Sequence, residues 1–119
     1  MRVNESDLVI QFDIDDTLVM WKGDCYKPHQ FAIPITDETD GTVVYLIPHL
    51  RHIELLKKHK ARGYIVNVWS GGGYKWAASV IRALELQDYV DNVGSKPIKY
   101  VDDLPCQEWM PNRIYLKDE

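Results

Sequence analysis

The chain has 119 residues, a formal net charge of -4 and 45% hydrophobic residues, a size and composition that predict one globular domain with a single core, spanning residues 1–119. Its apolar runs are about five or six residues long, far below the roughly 20 that span a bilayer. Its acidic balance disfavours broad non-specific binding to nucleic acid, and its first residues lack the pattern of a signal peptide. We therefore expect a cytoplasmic protein with no membrane partner.

The first part of the chain predicts a buried strand and then a β-hairpin. Leu8–Phe12 is short and β-branched and is followed at once by aspartates, which is typical of a buried strand that ends at a polar site. Residues 29–35 and 42–47 are apolar and surround a polar turn, so they predict two strands of a hairpin. The region 18–47, which contains this hairpin, is named the flap.

The middle of the chain predicts a helix, a strand and a second helix. The first helix is expected over 48–62, because Pro48 suits a first helical position, apolar residues recur at helical spacing and Gly63 closes it. Residues 64–69 predict a second buried strand. After a tight glycine turn, residues 74–87 carry the apolar side of a second helix.

Further strands are expected in the last part of the chain, where apolar residues stand between turn signals. Strands that alternate with helices indicate an α/β domain with a mainly parallel sheet, in which ligands gather beyond the carboxyl ends of the strands. The three additional strands are predicted at Tyr89–Val93, Ile98–Val101 and Arg113–Leu116.

Polar side chains follow these strands where each one ends, and parallel strands would bring them to one crevice. Asp13 and Asp15 are two residues apart, so an extended backbone projects both to the same side. Carboxylates crowded together repel each other unless a cation or protons intervene, and an all-oxygen site suits Mg²⁺. A hydroxyl and an ammonium group suit an anion such as phosphate. The residues expected to converge are Asp13, Asp15, Ser70, Lys96, Asp102 and Asp103.

The same residues stand in an order that resembles the haloacid dehalogenase (HAD) superfamily. Phe12-Asp-Ile-Asp-Asp-Thr-Leu18 resembles the first motif of that family, DxDx[TV]. Ser70 after an apolar strand resembles the second motif, Lys96 the third and Tyr100-Val-Asp-Asp103 the acidic fourth. The resemblance covers nearly the whole chain and implies a Rossmann-like sheet of the HAD type.

The resemblance also implies a phosphomonoester hydrolase that works through an aspartyl-phosphate intermediate. Asp13 would be the nucleophile, and Asp15 would protonate the leaving alcohol and then activate water as a base. Lys96 would neutralise charge on the nucleophile and the phosphate. The implied phosphate-binding residues are Thr17, Ser70, Gly71 and Lys96, and the implied cofactor is Mg²⁺, held by Asp13, Asp15 and one or both of Asp102 and Asp103.

The chain departs from the family's pattern in two places. Asp16 stands where members often have Gly, and Asp tolerates a left-handed conformation better than most residues. Only residues 97–100 separate Lys96 from Val101, which is too short for the usual crossover helix. The edge of the sheet is therefore expected to be trimmed, and Lys99 remains an alternative for the active-site lysine.

A separate cap domain is not expected, because the helix at 48–62 belongs to the core and only the flap remains between the first two motifs. The resemblance is to capless members, which act on bulky substrates or use a neighbouring subunit as a lid, so an oligomer remains open. Trp21, Tyr26 and Phe31 of the flap either cover a small core or stack on a flat group. A nucleotide or a nucleic-acid terminal phosphate is the favoured substrate, with other small phosphates as alternatives.

Two further functions remain open on the sequence alone. One is a binding module for a phosphorylated ligand without turnover, and the other is a phosphotransferase whose acceptor is not water. Three histidines of the predicted helix at 48–62 lack carboxylate partners at ligand spacing and are expected to be solvated. These are His49, His52 and His59.

Overall fold

Two three-stranded sheets organise residues 8–117, the part of the chain that the computed structural model describes. The strands are β1 (Val9–Asp13), β2 (Val19–Met20), β3 (Ile33–Thr36), β4 (Val43–Pro48), β5 (Ile65–Ser70) and β6 (Asn92–Ser95). The helices are α1 (Leu50–Ala61), α2 (Tyr74–Ala83) and the short α3 (Cys106–Trp109), with a 3₁₀ turn at Gln87–Tyr89. Among the described residues, no helix is long and apolar enough to cross a bilayer.

The first sheet is parallel, with strand order β1-β5-β6. Asp13 at the end of β1 is opposite Trp69, and Ser70 at the end of β5 is opposite Ser95. The three strands therefore end at one edge, and α2 connects β5 to β6. This confirms the α/β class and the parallel pairing expected from the sequence.

The second sheet is antiparallel, with strand order β2-β4-β3. The β3 and β4 strands pair from Ile33↔Leu46 to Thr36↔Val43, as expected for a hairpin in this region, although the first strand begins at Ile33 and not at residue 29. One hydrophobic cluster joins both sheets, because apolar side chains from β4, β5 and α2 bury against each other. Its fully buried members include Ile35, Leu46, Val66 and Val80.

Both long helices differ from their predicted bounds. Pro48 does not begin α1, because it is the last residue of β4 and is paired with Val19. The helix begins after His49, whose Nδ1 accepts a hydrogen bond from the backbone N–H of His52. The second helix was predicted to reach residue 87, yet it ends at Ala83, since Glu85 turns left-handed (φ 56°) and lets Leu86 enter the core.

The expected strand at Tyr89–Val93 forms three residues later, as β6. The strand expected at Ile98–Val101 does not form, and Ile98 and Val101 are 95% and 105% exposed. Pro97 cannot donate to a ladder, and strand propensity alone does not create a strand without a neighbour to pair with.

The strand expected at Arg113–Leu116 is also absent, because imidazoles replace a neighbouring strand as its partners. The His52 Nε2 accepts from the backbone N–H of Leu116 (2.8 Å), and the His49 Nε2 donates to the Leu116 carbonyl (2.9 Å). The two rings are stacked at 3.7 Å and are 0% and 1% exposed, so the expectation that they are solvated is wrong. His52 also donates from Nδ1 to the carbonyl of Thr17 (2.7 Å). We name His49 and His52 the histidine pair.

Asp91 fastens the start of β6 to β5 and to α1. Its Oδ1 accepts from the Lys60 Nζ at 2.7 Å, and its Oδ2 accepts from the backbone N–H of Val66 at 2.7 Å. The hydrogen bond from Lys60, followed by the one from Val66, lowers the pKa of Asp91. These contacts favour the ionised carboxylate in the folded chain.

Asp91→Asn is expected to destabilise the protein at pH 7 and to lose this effect in acid. A pKa that is lower in the folded chain contributes stability above the unfolded pKa, and that stability disappears as the pH falls through the folded value. The pair is solvent-accessible, so the difference at pH 7 should be about 1 kcal/mol or less. Thermal unfolding at pH values between 7 and the acid limit measures it, with Asp88→Asn as a control outside these contacts. A difference that does not vary with pH would contradict this explanation.

Candidate active site

Three of the residues singled out from the sequence lie at the carboxyl edge of the parallel sheet. Asp13 ends β1, Ser70 ends β5 and Lys96 follows β6. The backbone N–H of Lys96 donates to the Ser70 carbonyl at 2.8 Å, which extends the β5–β6 pairing by one step. This register fixes the direction from which Lys96 approaches Asp13.

The loop after β1 is a tight turn that folds back on itself. Ile14 is fully buried, and its carbonyl accepts from the N–H groups of Thr17 and Leu18 at 3.2 and 2.9 Å. Asp16 adopts a left-handed conformation with φ of 56°, as its position in the motif suggested. Its Oδ1 accepts from the backbone N–H of Trp21 at 3.0 Å, so its carboxylate is engaged within the loop.

The carboxylate of Asp13 is accessible to solvent and lies near a positive charge. The Lys96 Nζ is 3.9 Å from its Oδ1, and the Thr17 hydroxyl is 3.5 Å from its Oδ2. The side chain of Asp13 is 34% exposed, and that of Lys96 is 49% exposed. A reactant can therefore approach this carboxylate while Lys96 compensates added negative charge. The alternative lysine, Lys99, is exposed in the loop that follows.

Asp15 is held by three hydrogen-bond donors. The indole N–H groups of Trp76 and Trp21 both donate to its Oδ1, at 2.8 and 3.0 Å. The Ser70 hydroxyl donates to its Oδ2 at 2.9 Å and accepts from the backbone N–H of Gly72 at 3.0 Å. Because Ser70 is fully buried and Trp76 is 7% exposed, the arrangement is fixed by packing.

Trp76 belongs to the apolar side of the helix predicted at 74–87 and Trp21 to the flap, and the sequence pattern connects neither residue with Asp15. Trp76 is indeed buried. The signal that could have revealed its second role is chemical, since a buried indole N–H requires an acceptor. Trp76 lies in the first turn of α2, which follows the Ser70 turn, and Asp15 at the same sheet edge supplies that acceptor.

The glycine turn after Ser70 leaves room for this arrangement. A Cβ on Gly72 would stand 3.1 Å from the Trp76 ring and 3.3 Å from the Ser70 Oγ, so a side chain there would displace one of them. Gly73 has φ of 100°, a conformation that other residues adopt only under strain. Gly71, implied by the family resemblance to bind phosphate through its amide, is exposed at the same edge.

The structure does not bring the four expected carboxylates into one group. Asp102 and Asp103 lie in an exposed loop, where the Asp102 Oδ1 accepts from the backbone N–H of Leu104 at 3.0 Å. Within residues 8–117, no cluster of three or more His, Cys, Asp or Glu side chains could hold a metal ion. The reason is local: the segment before Asp102 is not a strand, so it does not deliver the two acids to the sheet edge. In this arrangement Asp102 and Asp103 do not complete the implied Mg²⁺ site with Asp13 and Asp15.

A cleft of about 320 Å³ opens beside Asp15, between the hairpin and the start of α2. Three aromatic side chains, Trp21, Tyr26 and Trp76, line it together with residues of the β3–β4 turn. Asp15 thus belongs both to the cleft and to the candidate active site, whereas Lys96 does not line the cleft.

Comparisons of the chain with protein families, with curated proteins and with solved structures gave no match. The resemblance to the HAD superfamily rests on the motifs alone.

Proposed function

We propose that the chain is a phosphomonoester hydrolase of the HAD type that forms an aspartyl-phosphate on Asp13. The observation that carries this proposal is the placement of Lys96 3.9 Å from an accessible Asp13, beside an Asp15 that accepts from the Ser70 hydroxyl. A nucleophile, a cation and a second carboxylate at one sheet edge are the groups that this chemistry requires.

In the first step, a carboxylate oxygen of Asp13 attacks phosphorus and the bond from phosphorus to the alcohol oxygen breaks. Asp15 gives a proton to that oxygen, and the alcohol leaves. In the second step, Asp15 removes a proton from water, the water oxygen attacks phosphorus, and the bond to Asp13 breaks to release inorganic phosphate. Lys96 compensates the negative charge in both steps.

The two carboxylate oxygens of Asp15 have different hydrogen-bond partners and therefore different roles in these steps. Both indoles bind Oδ1, so this oxygen remains an acceptor and fixes the orientation of the carboxylate. Within residues 8–117, Oδ2 accepts from the Ser70 hydroxyl, whose O–H can rotate. Oδ2 is therefore the oxygen that carries the proton between the substrate and water.

Mg²⁺ remains a prediction of the motifs, and no step above uses it. The substrate predicted from the sequence, a nucleotide or a nucleic-acid terminal phosphate, also remains a prediction. It rests on an open sheet edge and on the flap aromatics Trp21, Tyr26 and Phe31, which are 39%, 71% and 76% exposed. A neighbouring subunit as a lid would be compatible with that exposure.

Release of p-nitrophenol and of phosphate from p-nitrophenyl phosphate tests the proposal, with and without added Mg²⁺. We expect turnover by the wild type and a loss of about a thousandfold or more in Asp13→Asn, because an amide is not a nucleophile for this step. Stimulation by Mg²⁺ that EDTA reverses would support the metal prediction.

Three other outcomes would contradict the proposal. Turnover by Asp13→Asn at the wild-type rate would exclude Asp13 as the nucleophile. No release, combined with a higher melting temperature in the presence of a phosphorylated ligand, would favour a binding module. Transfer of phosphate to an added alcohol in preference to water would favour a phosphotransferase.

A further inference from the structure

The cleft beside Asp15 has aromatic walls and a negative rim. Trp21, Tyr26 and Trp76 line it together with Asp37 and Asp40 of the β3–β4 turn. The described residues that line the cleft include no Lys, Arg or His. The carboxylates give the cleft a negative charge, whereas the side of the candidate active site that would receive the phosphate has the positive charge of Lys96.

The two rim carboxylates are held in place. The Asp37 Oδ1 accepts from the backbone N–H of Thr39 at 2.8 Å, and the Asp40 Oδ1 accepts from that of Thr42 at 2.9 Å. Hydrogen bonds from the backbone and then the side chain of Thr42 lower the pKa of Asp40. Asp40 therefore remains ionised at neutral pH.

The turn that carries these carboxylates is fastened to α2. The backbone N–H of Glu38 donates to the Ser79 Oγ at 2.9 Å, and the Glu38 side chain forms an ion pair with Arg82. The nearby cation Arg82 is thus engaged by Glu38. The cleft is consequently formed before a ligand arrives, which reduces the ordering cost of binding.

We infer that this cleft binds a positively charged organic group, so that the preferred substrate is a phosphomonoester of an alkylammonium alcohol. The inference rests on the proposed function for the phosphate end of the substrate. An ammonium group is attracted to the faces of Trp and Tyr rings, and adjacent carboxylates add to that attraction. Lys96 and the Ser70 turn would receive the phosphate, and the cleft would receive the cation.

The same charges disfavour the substrate predicted from the sequence. A nucleic-acid chain or a polyphosphate that extended past Asp15 would place further anions against Asp37 and Asp40. Like charges in contact oppose binding, whereas the aromatic rings alone would have accepted a base. The negative charge of Asp37 and Asp40 therefore favours an alkylammonium phosphomonoester over a polyphosphate or a nucleic-acid chain.

Hydrolysis of phosphocholine and of 3,3-dimethylbutyl phosphate, its uncharged isostere, tests the inference because the two differ mainly in charge. We expect kcat/KM to be about tenfold higher for phosphocholine, in line with the strength of ammonium–aromatic contacts. In the double variant Asp37→Asn/Asp40→Asn the ratio should fall towards one, since amide oxygens preserve the turn hydrogen bonds and remove the charge. Asp88→Asn, which removes an exposed carboxylate that does not line the cleft, should keep the wild-type ratio.

Binding of tetramethylammonium, measured by calorimetry, separates this inference from the proposed function. Binding by the wild type and its loss in the double variant would support the cationic cleft even if no phosphomonoester were hydrolysed. Hydrolysis with a substrate ratio of one or less would overturn the inference and leave the proposed hydrolase intact. A ratio that is the same in the double variant and the wild type would also overturn it.

Discussion

The Asp15→Asn protein is expected to release one equivalent of p-nitrophenol quickly and then to turn over about 10²–10⁴-fold more slowly than the wild type. The first step survives because p-nitrophenolate leaves without being protonated. The second step slows because an amide does not remove the proton from water. Stopped-flow absorbance of p-nitrophenol measures the fast phase and the steady rate in one experiment.

Asn preserves the local structure at this position. Its oxygen can accept from the indoles of Trp21 and Trp76, and its NH₂ group can donate to the Ser70 Oγ. The matched control is Asp16→Asn, one residue further along the same loop. Asp16 has φ of 56°, which Asn tolerates well, and its side chain accepts from a backbone N–H, so this variant should keep wild-type kinetics. Equal turnover by Asp15→Asn and the wild type would exclude Asp15 from the second step.

His52→Ala is expected to lower the free energy of unfolding by about 3 kcal/mol, because it creates a cavity and leaves buried backbone groups unsatisfied. The orphaned groups are the N–H of Leu116 and the carbonyl of Thr17. The Tyr115 ring, which packs edge-on against His52 and donates from its hydroxyl to the Asp16 carbonyl at 2.9 Å, would lose a neighbour. The C-terminal segment would then detach from the loop that carries the candidate catalytic aspartates.

Chemical denaturation gives the loss of stability, and trypsin reports the detachment through faster cleavage after Arg113. His59→Ala on the same helix is the control, because the half-buried His59 ring hydrogen-bonds to the Leu55 carbonyl of that helix and packs edge-on against Tyr64. We expect a smaller loss of stability and unchanged cleavage in that variant. Equal effects of the two substitutions would mean that the histidine pair does not hold the C-terminal segment.

The strands that position the candidate site could be predicted from local sequence. β1 and β5 are short β-branched runs that end at polar residues, so their pairing and the placement of Asp13 and Ser70 follow from pattern alone. The left-handed Asp16 was similarly accessible, because its place in the motif requires a sharp turn there. In each case the residues that determine the local structure lie within one short segment of the sequence.

Features that depend on distant partners could not be predicted in this way. The burial of His49 and His52 depends on Leu116, which lies more than 60 residues further along the chain. The hydrogen bonding of Asp15 depends on Trp76, which is 61 residues away in the sequence. The strand predicted at 98–101 does not form for a related reason. Its β-branched residues favour a strand, but no strand in the described part of the chain pairs with it.

The central claim is a covalent phosphate on Asp13, and mass spectrometry of the Asp15→Asn protein tests it most directly. After incubation with p-nitrophenyl phosphate and quenching in acid, we predict one added phosphoryl group on the peptide that contains Asp13, removable by hydroxylamine as an acyl phosphate. The same treatment of an Asp13→Asn/Asp15→Asn protein should add nothing. A phosphoryl group on another residue, or its persistence in the double variant, would contradict the account.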